Sequence, residues 1–275
     1  MTDYKAEASK IKQACYPIPG AFAAGGAVTS VFTGKPINDV DVYFKSREAF
    51  EAAVASAYDE GWWCVSSSKR AVTFSDNGGT PVQFMHFDFF PTAHAIFDAF
   101  DFTAVMGALD FDTGEFVFHD DFLKHNSQRF LRFHPGTRFP LASATRVLKY
   151  QGRGYTIGKG DVLKIVLAGR KVKLESWDDL KDQIGGAYGE KVVFGTEGKE
   201  FTLDAAIDAL TVDDAGKEIW IANDNDAQPG SAIELHRRLS ALKDEQFDAS
   251  RFEDGEDGDG WPVGYEHPAR IRWAA

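Results

Sequence analysis

The sequence predicts an α+β fold with a mixed β-sheet, followed by a mainly helical domain. Three observations carry that prediction. Up to residue 119, short apolar runs of strand length alternate with stretches of helical spacing. Beyond residue 120 helical periodicity takes over and basic residues accumulate. Between Ala24 and Phe44, Asp39 and Asp41 alternate with Val40 and Val42, so an extended chain directs both acids to one face and both valines to the core.

Taken in order, residues 4–15 have apolar and small residues at helical spacing, and the helix is expected to end before Tyr16-Pro17-Ile18-Pro19-Gly20 because proline disfavours helix in the residue before it. Ala21 to Ala24 leads into Gly25-Gly26. Ala27 to Phe32 predicts a short helix closed by Gly34, and Lys35-Pro36-Ile37-Asn38 turns the chain into a strand from Asp39 to Phe44. Ser46 is an N-cap for a helix that ends at Gly61. Trp62 to Val65 and Arg70 to Ser75 predict two strands, with the Asp76-Asn77-Gly78-Gly79 turn after them and a further strand from Pro81 to Phe90. A helix over Thr92 to Ala99 delivers Asp101 to a strand from Phe102 to Phe111, and Asp112-Thr113-Gly114 turns back into Glu115 to His119. Helices are expected over Ser143 to Tyr155, Asp161 to Val172, Trp177 to Ile184, Leu203 to Leu210 and Ile233 to Leu242. The expected division is therefore 1–119, 120–246 and an acidic, Gly-rich tail over 247–275.

A chain of 275 residues with 44% hydrophobic and 13% aromatic residues can bury one large core or two modest ones. No apolar run approaches the length of a bilayer span, and the N-terminus lacks the apolar core of a signal peptide, so no membrane partner and a cytoplasmic location are expected. Cys15 and Cys64 are too few for a disulfide framework or a zinc site. The net charge of −12 hides an uneven distribution: residues 124–173 hold twelve Lys and Arg against the single Asp161. That block is where a polyanion is expected to bind.

The pair Asp39 and Asp41 points to metal chemistry. Two adjacent carboxylates repel unless a cation lies between them, and hard oxygen ligands suit Mg²⁺ or Mn²⁺, whose shell substrate phosphates commonly complete. Gly25 and Gly26 lack a Cβ, so the backbone can approach a phosphate closely at the start of a helix. Asp88 and Asp101 are the candidates for a third carboxylate on a neighbouring strand. Arg146, Lys149 and Arg153 recur at spacings of three and four, which on one helix presents a row of positive charge to a triphosphate. Arg129, Arg132, His134 and Arg138 extend a basic path, with Phe130 and Phe133 as stacking or core residues. Other matches fail: Gly154 to Gly160 has the wrong glycine spacing for a P-loop, Asp254 to Gly260 lacks the ligand order of a calcium loop, and the histidines are scattered.

Gly25-Gly26, twelve intervening residues and Asp39-Val40-Asp41-Val42 together resemble the signature of the DNA polymerase β-type nucleotidyltransferase superfamily, which includes CCA-adding enzymes and poly(A) polymerases. The likeness covers about the first 120 residues. Phe100-Asp101-Phe102-Thr103, Arg146 to Tyr150 and Arg153-Gly154-Tyr155 are similar to a branch common in phage genomes. The resemblance implies transfer of a nucleoside monophosphate from an NTP, with ATP the first expectation, to an acceptor hydroxyl. It implies metal binding by Asp39, Asp41 and a third acid, with Asp101 favoured over Asp88. Gly25 and Gly26 would hold the β- and γ-phosphates, and Lys149 with Arg146 and Arg153 would neutralise the leaving pyrophosphate. The basic block favours an RNA 3′ end as acceptor. The alternatives are nucleotidylation of a protein or small molecule, and a module that binds nucleotide or nucleic acid without turnover.

Overall fold

The computed structural model of the protein describes residues 4–68, 70–75, 79–186, 191–192, 200–210 and 221–222. Among the described residues the chain falls into two compact units, 4–97 with 105–120, and 98–104 with 121–222. The short segment Asp98–Ala104 thus belongs with the second unit, although α-helix and strand of the first unit flank it on both sides.

The first unit is α+β. In chain order it contains α1 (Lys5–Ala14), β1 (Ala21–Ala24), α2 (Gly26–Phe32), β2 (Val40–Phe44), α3 (Arg47–Glu60), β3 (Trp63–Ser67), β4 (Ala71–Ser75), β5 (Val82–Met85), α4 (Ala93–Phe97), β6 (Gly107–Asp110) and β7 (Phe116–Phe118). The sheet order is β3-β4-β5-β2-β1-β6-β7, with β2 at its centre. Only the β2–β5 pairing is parallel; every other neighbour runs antiparallel, which makes the sheet mixed. The register puts Val40 beside Val82 and Val42 beside Phe84, with Phe74 and Val72 next across β4. All are fully buried on one face. There α3 packs on them: Phe50 meets Phe44 at 5.4 Å and Tyr58 meets Phe74 at 5.8 Å between ring centroids. Each such buried side chain contributes about 1.5–3 kcal/mol. The α3 ends follow the sequence, with Ser46 accepting from the Ala49 N–H and Gly61 in the left-handed region at φ 86°.

Two expected strands are shorter than their sequence patterns. β5 stops at Met85, and the chain bulges away so that Phe87 and Phe90 set their edges against Tyr43 while the Phe90 N–H returns to the Phe44 carbonyl at 2.8 Å. The aromatic run Phe84 to Phe90 is a strand followed by a ring cluster. The expected strand from Phe102 to Phe111 is divided: Phe102 bridges Phe133 in the second unit, residues 103–105 form one 3₁₀ turn, and β6 begins only at Gly107.

The second unit is mainly helical: α5 (Phe122–Gln128), β8 (Phe130–Leu131), α6 (Pro140–Gln151), β9 (Thr156–Ile157), α7 (Lys159–Gly169), α8 (Trp177–Gly185), β10 (Lys191–Val192), α9 (Leu203–Ala209) and β11 (Ile221–Ala222). A buried polar network ties the 98–104 segment into it. Asn126 donates to the Ala104 carbonyl at 2.8 Å and to the Phe122 carbonyl at 2.9 Å, and accepts from the Tyr155 hydroxyl at 2.5 Å. Thr103 and His125 share a hydrogen bond of 2.7 Å. These pairings satisfy polar groups whose burial is costly when unmet. Asp161, almost fully buried, accepts from the Phe133 N–H and pairs with Arg132 at 3.6 Å and Lys164 at 3.3 Å. The expected helix over residues 233–242 and the acidic tail from residue 247 lie outside the described residues, as do residues 76–78 of the expected turn. Among the described residues no helix is long and apolar enough to cross a membrane.

One end of the first unit's sheet is closed by charge. Lys45, just past β2, bonds Asp110 at 3.0 Å and Asp112 at 2.7 Å, and Asp112 also accepts from the Gly20 N–H ahead of β1 at 2.9 Å. The Lys45 ammonium and then the Gly20 N–H hold the Asp112 carboxyl below its ordinary value. A depressed folded pKa adds stability above the unfolded carboxylate value, near about pH 4, and that stability is lost as pH falls through the folded value. Lys45→Met is therefore expected to lower urea-unfolding stability at neutral pH and to flatten its decline in acid. An acid limb that coincides with the parent's would show that the clamp adds nothing.

Candidate active site

The glycine turn and the carboxylate pair are neighbours because of strand register. β1 and β2 run antiparallel with Ala24 opposite Asp41, so the chain leaves β1 into Gly25-Gly26 directly beside Asp41. Gly25 takes φ 78° and ψ −125°, a conformation that favours glycine, and caps α2. Its N–H is already used, bonding the Gly107 carbonyl at 3.0 Å, while its carbonyl accepts from both the backbone and the hydroxyl of Thr29 at 3.0 Å. Gly25 is thus a structural hinge between sheet and helix. Gly26 differs: a Cβ built there meets nothing within 4 Å, so its backbone faces open space at the start of α2.

Asp41 is 5% exposed in the middle of a wholly buried strand, and Asp39 is half-buried one residue before β2 begins. The Val40 N–H continues the ladder by bonding the Pro81 carbonyl at 2.9 Å, which keeps residues 39–41 extended. Asp41 lies on the face opposite Val40 and Val42, and so opposite α3. The expected two-faced strand is present, but on the central strand, where both faces are shielded. A carboxylate held there is costly without a cation or donors. Asp39 and Asp41 are hard oxygen donors, and their chemistry fits Mg²⁺ or Mn²⁺ with phosphate oxygens and water completing the shell. Among the described residues no group of three or more His, Cys, Asp or Glu is arranged to hold a metal ion.

The other candidates are dispersed. Asp88 sits in the bend after β5, half-buried, with its Oδ1 accepting from the Phe89 N–H at 3.0 Å. Asp101 and Arg146 belong to the second unit and are brought together: Arg146 Nε lies 3.3 Å from Asp101 Oδ2, and Asp101 is 4% exposed. Its other oxygen, Oδ1, is buried without a hydrogen-bond partner among the described residues. Arg146 also donates to the Tyr150 hydroxyl at 3.4 Å. Burial chiefly pushes the Tyr150 phenol up, with Arg146 opposing, so the ring stays neutral. α6 ends at Gln151, which places Arg153 in the following turn rather than on one helical row with Arg146 and Lys149. Arg153 instead lies over the Tyr150 ring at 5.7 Å, Arg146 turns inward, and Lys149 is exposed.

The basic block is likewise not one surface. Arg129 and Arg132 lie over Tyr155 and Phe130, both at 5.3 Å, and Arg132 also pairs with Asp161. Phe133 is 2% exposed and belongs to the core. Sequence reasoning missed one residue and one strand that matter here. Gln83 is the in-register neighbour of Asp41 on β5, and Ala21–Ala24 forms a strand. An apolar Ala-Phe-Ala-Ala stretch has no alternation, so only its fully buried position beside β2 marks it.

With this geometry in view, comparisons with known proteins divide by sequence and by shape. The family model of the "Gabija anti-defense 2 family protein" matches residues 6–129. The protein "Gabija anti-defense 2" of Bacillus phage SPbetaL7 is 42% identical over 193 residues, covering 69% of this chain and 48% of its own length. The chain therefore spans about half the length of that curated relative. Its phage source agrees with the branch suggested by Phe100 to Thr103 and Arg146 to Tyr155. Among solved structures, a "tRNA-processing enzyme (apo form I)" aligns with 92% of this chain and 60% of its own at 17% identity and a TM-score of 0.47. The Bacillus stearothermophilus CCA-adding enzyme in complex with CTP aligns with 67% of this chain and 48% of its own at 20% identity and 0.43. The Thermotoga maritima CCA-adding enzyme complexed with tRNA aligns with 74% and 48% at 14% identity and 0.44. The first unit of this chain is thus α+β around a mixed seven-stranded sheet, and its sequence is similar to a phage protein named for countering Gabija defence.

Proposed function

We propose that this chain is a member of the Gabija anti-defense 2 family and a metal-dependent nucleotidyltransferase that acts in phage anti-defence. The observation that carries the reading is the register of β1 and β2, which sets the buried Asp41 beside the Gly25-Gly26 turn and the open backbone of Gly26. Asp39 and Asp41 hold Mg²⁺ or Mn²⁺, which when bound polarises the phosphate and stabilises charge on the leaving pyrophosphate. Gly26 and the first turn of α2 approach the nucleotide phosphates, with ATP the first nucleotide to test. An acceptor hydroxyl oxygen bonds to the α-phosphorus, the α–β bridging bond breaks, pyrophosphate departs, and the hydroxyl proton passes to solvent. Of the other acids expected there, Asp88 accepts from the Phe89 N–H and Asp101 pairs with Arg146 in the second unit, while Lys149, Arg146 and Arg153 stand as cations for an anionic ligand. The name of the curated relative favours a protein acceptor or target. The exposed Lys149, Arg153, Lys159 and Lys164 of the second unit support the other acceptor, an RNA 3′ end bound through residues 124–173.

Asp41→Asn is expected to reduce transfer of label from α-labelled NTP by at least about a hundredfold while leaving the circular-dichroism spectrum unchanged. In bacteria carrying Gabija, the same substitution is expected to abolish the protection of infecting phage by the expressed chain. Protection that survives Asp41→Asn would replace catalysis with simple binding as the anti-defence mode. Gly26→Ala adds a methyl group in open space and a better helix former, so the melting temperature is expected to hold or rise while nucleotide affinity drops about tenfold. A nucleotide dissociation constant equal to the parent's would remove the α2 turn from the site. For an RNA acceptor, the logarithm of affinity falls with the logarithm of salt by about 0.7 per phosphate contact. Lys149→Gln with Arg153→Gln is expected to reduce that slope by about 1.4; an unchanged slope on total RNA would direct the search to a protein acceptor.

A further inference from the structure

We propose that Gln83 supplies the third protein oxygen of the metal site, an amide standing where a third carboxylate was expected. The inference rests on the assignment of Asp39 and Asp41 to metal binding and deepens it. β5 is the one strand parallel to β2, and its register places Gln83 beside Asp41. In-register residues on adjacent strands project to the same face, with backbones about 4.8 Å apart. Gln83 therefore shares the face of Asp41, opposite α3, and it continues across β4 to Thr73.

The residue is anomalous for its strand. Val82, Phe84 and Met85 are fully buried and apolar, whereas Gln83 is half-buried and carries an amide with both a hard carbonyl acceptor and an NH₂ donor. The two acids considered for this place are committed elsewhere: Asp88 has left the sheet and receives the Phe89 N–H, and Asp101 of the second unit is paired with Arg146. An amide carbonyl is an accepted ligand of hard divalent cations. It brings no charge, however, so two carboxylates and an amide attract a divalent cation less strongly than three carboxylates. Nucleotide phosphates must then supply the missing negative charge, which makes metal binding depend on nucleotide.

The test uses the full chain with Mn²⁺ as probe, followed by electron paramagnetic resonance with and without a non-hydrolysable α,β-methylene ATP analogue. The parent is expected to bind Mn²⁺ more tightly with the analogue than without it. Gln83→Glu, nearly unchanged in volume, is expected to tighten Mn²⁺ binding about tenfold without the analogue, and Gln83→Leu to weaken it about tenfold with the analogue. Because Gln83→Glu crowds like charges in the absence of metal, its melting temperature is expected to fall and to recover on adding Mn²⁺. Mn²⁺ affinity of Gln83→Glu equal to or below the parent's, in a folded protein, overturns the proposal even if Gln83→Leu fails to fold. Loss of Mn²⁺ binding in Asp41→Asn together with unchanged affinity in Gln83→Glu would overturn the Gln83 assignment alone. Unchanged Mn²⁺ binding in Asp41→Asn would overturn the carboxylate site itself and Gln83 with it.

Discussion

The antiparallel register of β1 against β2 is the constraint on which the site depends. A shift of one residue would turn Asp41 into the α3 face and carry Val40 or Val42 to the other, exchanging an apolar contact for a buried charge at several positions at once. The seven buried Val and Phe side chains on that face therefore do more than stabilise the sheet. They fix which face of β2 meets α3, and so the side on which Asp41 lies, while the Ala24–Asp41 pairing sets the Gly25-Gly26 turn beside it. Lys45, Asp110 and Asp112 add a second restraint at the opposite end of the same strands, where Gly20 enters β1.

Much of this was legible in the sequence. The Asp-Val-Asp-Val alternation, the capping serine of α3 and the glycine closing it each encode a local rule, and local rules survive folding. What was less legible were features set by distant partners. Pro81 to Phe90 reads as one strand because aromatic residues favour strands, yet the ring contacts of Phe87 and Phe90 with Tyr43 end β5 at Met85. β1 has no alternation because both its faces are covered. Gln83 carries no motif at all; its interest comes solely from pairing with a residue 42 positions earlier.

The charged residues show the same division between composition and arrangement. Twelve basic residues in a fifty-residue block suggest a single polyanion surface. In the folded chain several already have partners within it, even where their side chains stay partly exposed: Arg146 on Asp101, Arg132 and Lys164 on Asp161, and Arg129 and Arg153 over tyrosine rings. Ion pairs with nearly buried acids offset the desolvation of those acids before any ligand is met. Counting charge along a sequence overstates what remains for recognition, and an acid such as Asp161, alone in its block, is the sign that some of the charge has a structural use.

The placement of Asp98–Ala104 constrains how this molecule can be made and rearranged. The chain visits the second unit for seven residues, returns to complete β6 and β7, and only then builds the helices that the visit serves. During synthesis Phe102 emerges well before Phe133 and Tyr150, whose rings lie 6.2 and 5.8 Å from its own. Until they arrive, an aromatic side chain destined for full burial remains solvent-facing in the nascent polypeptide. Cleavage or gene fusion at the boundary near residue 120 would strand that same segment without its partners. Neither stretch on the two sides of that boundary therefore carries a whole unit, because the rings that bury Phe102 lie beyond it in sequence.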